Sequence, residues 1–125
     1  MTPTADYGAW KTVRTLSGAT ADATPTTGSA FVSLAVEAVP RVEIRVRGGS
    51  LANSPASVTL GVWRLSGGAV DKLGTITIAS GDIATPIPQL FEIYDPSVFV
   101  TVDSFSGGSS PTMTATIEAR AVSGG

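Results

Sequence analysis

Glu37, Glu43, Glu92 and Glu118 are the residues whose type and setting come nearest to chemistry in this chain. All four lie in segments where apolar and polar residues alternate, so any two that faced each other could act as acid and base on a glycosidic bond. Outward positions of half-buried strands commonly carry Glu merely as a solvated residue. A sugar-cleaving cleft would also need aromatic lining, and four Phe, two Trp and two Tyr must serve the core as well. A Ser–Lys pair would have to use Lys11 or Lys72, and both fall on exposed strand positions where an amine stays protonated. The chain has no histidine and no cysteine. That excludes His-based triads, thiolate chemistry, disulfides and the usual zinc ligand sets.

Asp71, Asp82, Asp95 and Asp103 lie at or near turn sequences and are the candidates for calcium. None shows the Asp-x-Asp-x-Asp-Gly spacing of an EF-hand loop, and Asp is common in turns because its carboxylate accepts backbone hydrogen bonds. The glycines of "SGG" (66–68) and "SGGSS" (106–110) open no helix and precede no Lys-Ser/Thr. They read as turn glycines rather than phosphate loops. The expectation is a non-enzymatic protein with no catalytic residue, cofactor or metal.

The elements that would hold such residues are strands. Period-two alternation recurs in 8–15, 30–39, 41–47, 58–65, 70–78, 90–94, 97–105 and 112–122. Residues 16–28 and 48–57 read as loops, 66–69 as a hairpin turn, and 84–89 as an extended stretch held by two prolines. Pro40 is expected to interrupt a strand because it lacks the ladder N–H. A bulge near Gly61 would re-aim Val62 or Trp63. In "RVEIRVR" (41–47), Val42, Ile44 and Val46 face inward. Arg41, Arg45 and Arg47 share the other face with Glu43, a solvated sheet face with cross-strand ion pairs. About eight strands at this spacing predict an all-β fold, an antiparallel two-sheet β-sandwich with jelly-roll topology as a candidate.

At 125 residues the chain predicts one domain, here a sandwich over 11–125 preceded by an N-terminal arm, 1–10. The arm has few core-type residues but includes Tyr7 and Trp10, and aromatic residues dominate contact hot spots. Charged residues make up only 14% of the chain, against about 25% in an average soluble domain, so a surface of Thr, Ser, Gly and Ala is expected to be covered in part by a partner. The net charge of −2 leaves no basic footprint for nucleic acid. No apolar run reaches transmembrane length, and "MTPTADYGAW" has no signal-peptide pattern, so synthesis in the cytoplasm without membrane insertion is expected.

The segments "VEIRVRGGSLANSPASVTLGVWRLSGGAVDKLGTITI" and "LFEIYDPSVFVTVDSFSGGSSPTMTATIEARAV" resemble small β-sandwich virion proteins of tailed bacteriophages, most closely head decoration, or cement, proteins. The likeness spans about residues 30–122 and is one of style and size. It implies a protein on the outer surface of the virion head, bound to the major capsid protein and often trimeric, which clamps neighbouring capsid subunits. By that analogy Tyr7, Trp10, Lys11 and Arg14 are the expected contact residues. A phage tail, neck or fibre component is the first alternative. A carbohydrate-binding module with Trp63 as its platform is the second.

Overall fold

Alternating strands with one apolar face must bury that face against another sheet, and here two antiparallel sheets do so. The computed structural model describes residues 5–34 and 39–124. In chain order the strands are β1 (Ala5–Tyr7), β2 (Lys11–Ala19), β3 (Val32–Ser33), β4 (Val39–Ala52), β5 (Ser57–Ser66), β6 (Ala69–Ala79), β7 (Gln89–Asp95), β8 (Ser97–Ser106) and β9 (Thr112–Gly124). A 3-10 turn, Ser80–Asp82, follows β6.

The first sheet runs β2-β9-β4-β7, with β1 pairing the same edge of β9 farther along; the second runs β3-β8-β5-β6. From β2 onward only β5 and β6 form a hairpin, and every other connection crosses between the sheets. This is a jelly roll, the candidate topology within the expected sandwich. The strands exceed the expected eight by β1, which has three residues.

The core is built from aliphatic, mostly β-branched residues at alternate positions: Val42, Ile44 and Val46 on β4, Val58, Leu60 and Val62 on β5, and Val98, Val100 and Val102 on β8. Met113, Ala115, Ile117 and Ala119 of β9 close it from the centre of the first sheet.

Three local expectations are corrected. Pro40 does not interrupt its strand. It lies near the start of β4, where the register with β7 shifts between Val39 and Arg41 and the ladder with β9 has not begun. The expected loop 48–57 is mostly strand, because Gly48 takes a φ of +60° and a register shift between Arg47 and Ser50 lets β4 continue to Ala52. The bulge expected near Gly61 lies on both neighbouring strands instead: Asp103 is the extra residue on β8 and Leu73 the extra residue on β6. The strand expected over 30–39 is described only at Val32–Ser33 and Val39, and Glu37 lies outside the described residues.

The two flanks of the sandwich differ. On one, Arg14 of β2 reaches across to donate to the Val100 carbonyl of β8 (3.1 Å) and to Asp22 (2.6 Å). Phe31 packs on Phe99 alongside, with ring centroids 5.5 Å apart. On the other flank, β6 and β7 are the outer strands of their sheets.

Candidate functional site

The outward face of the first sheet gathers most of the chain's arginines. Register puts Tyr7, Val122 and Arg41 in one cross-strand row, Arg120 and Glu43 in the next, then Thr12, Glu118 and Arg45, then Thr15, Thr116 and Arg47. Partners in an antiparallel pair share a face, so these rows all lie opposite the core-facing Val42, Ile44 and Val46. Arg45, Arg47 and Arg120 are held by carboxylates. Arg120 places both Nε and Nη2 2.6 Å from Glu43 Oε1, and Arg45 Nε donates to Glu118 Oε1 at 2.7 Å. Arg47 Nη1 stands 3.5 Å from the same Glu118 oxygen.

Aromatic rings rest on these fixed guanidinium groups. Trp10 lies in the three-residue break between β1 and β2, which frees its backbone from the ladder. Its ring centroid is 4.0 Å from the Arg45 guanidinium carbon and 4.4 Å from that of Arg120. Arg120 also lies 4.4 Å from the Tyr7 ring. The result is a connected series Tyr7–Arg120–Trp10–Arg45, each contact worth about 0.5–1 kcal/mol at an exposed position. Val122 is 1% exposed but lies on this outward face rather than in the main core, opposite Tyr7. Tyr7 itself is 56% exposed. Planar groups held in place by carboxylates lose little side-chain entropy on contact, which is what a protein-binding surface requires.

Of the four expected contact residues, this face brings together Tyr7 and Trp10. Lys11 turns aside to donate to the Ser33 carbonyl at 3.2 Å. Arg14 is spent on Asp22 and Val100 at the flank, with its guanidinium 5.3 Å from the Phe99 ring. Arg45 and Arg120 were the residues that spacing did not single out as contacts. The period-two pattern of 41–47 pointed to a solvated face with cross-strand ion pairs, which the structure contains. That a tryptophan sits on it depends on a register between segments 73 residues apart.

Trp63, Lys72, Asp103, Asp71 and Asp95 take structural roles. Trp63 Nε1 donates to Thr101 Oγ1 (2.8 Å), and Thr101 donates to Asp103 Oδ1 (2.6 Å). Lys72 Nζ donates to Asp103 Oδ2 (2.6 Å) and lies 5.3 Å from the Trp63 ring. This closed network covers Gly61 and satisfies Thr101, which is 2% exposed. Asp71 and Asp95 both pair with Arg64, at 3.5 and 3.4 Å. Among the described residues no three acidic side chains gather in a way that could hold a metal ion, and no helix is long and apolar enough to cross a membrane.

No protein-family model, curated protein or solved structure matches the chain.

Proposed function

We propose that this protein is a non-enzymatic structural component of a virion, a decoration or cement protein that binds the outside of an assembled shell and stabilises the joints between subunits of the major capsid protein. The observation that carries this reading is the Tyr7–Arg120–Trp10–Arg45 series on the outward face of the first sheet. Tyr, Trp and Arg are the residue types enriched at binding hot spots, and here they are ordered before any partner arrives. The jelly roll supports it by analogy only, since this architecture builds viral shells and lectins alike.

The mechanism is mass action. A ligand that binds only the assembled lattice stabilises that lattice by its own binding free energy. Several copies joined as a homo-oligomer, a trimer in the form the resemblance implies, gain further through effective concentration.

The test is co-sedimentation with purified shells that lack the protein. Saturable binding at a fixed ratio to shell subunits, weakened by Trp10→Ala, is the expected result. Recovery of the protein in tails, with no binding to shells, would replace the reading with that of a tail, neck or fibre component. The carbohydrate-module reading is less favoured, because Trp63, its platform, is bonded through its N–H to Thr101 and has Lys72 over its ring.

A further inference from the structure

Strand β6 is one of the two outer strands of the second sheet. β5 pairs with it throughout, and among the described residues no backbone group pairs with its other side. The two halves of this free edge are unlike. Asp71, Lys72 and the bulge at Leu73 blunt the first half, and charges and bulges are what keep edge strands from pairing. The second half, Thr75–Ala79, has the sequence TITIA and carries no charge, proline or bulge.

A groove of about 300 Å³ runs beside that unguarded half, between Ile76–Ala79 and a wall that includes Pro86 and Ile87. Ile87 is 80% exposed, the most exposed large apolar side chain among the described residues. The only charged residue lining the groove is Asp82, which among the described residues has no ion-pair partner. An open ladder on one side, an apolar wall on the other and an unpaired acid at the end are the parts of a strand-addition site. The acid states the chemistry of the occupant, because a basic residue is needed to complement it.

We propose that this groove takes an extended segment of a partner protein, which adds as an antiparallel strand to Thr75–Ala79, packs alternate apolar side chains against Ile87 and sets a Lys or Arg beside Asp82. The identity of that partner as the capsid protein rests on the reading above; the strand addition does not. The site is separate from the Trp10 face, because it belongs to the other sheet.

The experiment is amide NMR of the isotopically labelled chain titrated with the peptide acetyl-Lys-Thr-Val-Thr-Val-Thr-amide, and with its counterpart carrying Glu for Lys. An antiparallel strand places the N-terminal Lys at the Asp82 end. Saturable shifts confined to Thr75–Ala79, Asp82 and Ile87 are expected, with the Glu peptide weaker by about two- to fivefold, the range for an exposed ion pair. Asp82→Asn should erase that difference while the shifts persist. No saturable shift, shifts elsewhere, or equal affinity for both peptides would overturn the proposal. So would concentration-dependent shifts of the same amides without peptide, which would make a second copy of the chain the occupant. Because no shell is present, failure here leaves the sedimentation result standing, and the reverse.

Discussion

Asp22 and Val102, 80 residues apart, form a one-residue strand pair: the Asp22 N–H donates to the Val102 carbonyl at 2.8 Å, and the Val102 N–H donates to the Asp22 carboxylate at 2.8 Å. A side chain thus supplies the acceptor that a neighbouring strand would have offered, and Arg14 holds that carboxylate in place. Asp22→Ala leaves the Val102 N–H, on a fully buried residue, without its acceptor. The expected loss is about 1–3 kcal/mol, read from the midpoint of urea unfolding at unchanged slope.

Gly61 lies under the Asp103 and Thr101 side chains. A methyl group there would meet Asp103 Oδ1 at 2.6 Å and Thr101 Oγ1 at 2.8 Å. Both atoms belong to a bonded network with Trp63 and Lys72, so they can yield only by breaking it. Gly61→Ala should therefore cost about 1–3 kcal/mol. Gly81→Ala, where nothing lies within 4 Å, should stay within about 0.5 kcal/mol of the parent. Thermal unfolding of the two variants side by side checks the contrast.

Trp10→Ala removes the ring shared by Arg45 and Arg120 but leaves both ion pairs with Glu118 and Glu43. Unfolding free energy should fall by about 1–2 kcal/mol, the sum of the two contacts. Retention on shells should fall at least about tenfold, the effect of a hot-spot aromatic. Equal retention of variant and parent in co-sedimentation would move the contact surface elsewhere.

Tyr94 has a φ of 53°, left-handed backbone that a bulky aromatic residue seldom adopts. Arg64 holds the residues on either side, donating to the Ile93 carbonyl at 2.8 Å and pairing with Asp95. The ring itself is 59% exposed, so little packing is lost with it. Tyr94→Asn should raise stability by about 0.5–1 kcal/mol. Arg64→Met should lower it, and denaturant midpoints for both variants test the pair.

Ile117 is fully buried at the centre of β9, the strand that pairs with β1, β2 and β4. Ile117→Ala should cost about 2–5 kcal/mol through lost burial and the cavity left behind. Calorimetry would show this as the largest drop among these variants.

The sandwich was legible because its information is local. In 41–47 each residue's neighbours two places away report its face, so the inward Val42, Ile44 and Val46 and the outward arginines can be assigned before any partner strand is known. The Gly48–Gly49 bulge was not legible, since Gly-Gly reads equally as a loop. Whether a strand resumes after it depends on β9, more than sixty residues later in the chain. The candidate site divided in the same way. Tyr7 and Trp10 stood out by type, but Arg45 and Arg120 reach Trp10 only through the register of β4 with β9. Arg14 and Lys11 lay close to Trp10 in sequence and face other neighbours in space. Asp22 had no local mark at all, because its role is defined by the backbone of Val102.

The pairing of Ala5 with Gly124 brings the beginning of β1 and the end of β9 to one corner of the first sheet. Polypeptide leaving the sheet ahead of Ala5 and beyond Gly124 starts from neighbouring points rather than from opposite poles. A pull exerted through those ends would load the β1–β9 ladder one rung at a time, like opening a zip. The chain should yield mechanically at that corner while the β5–β6 and β5–β8 ladders of the other sheet stay closed.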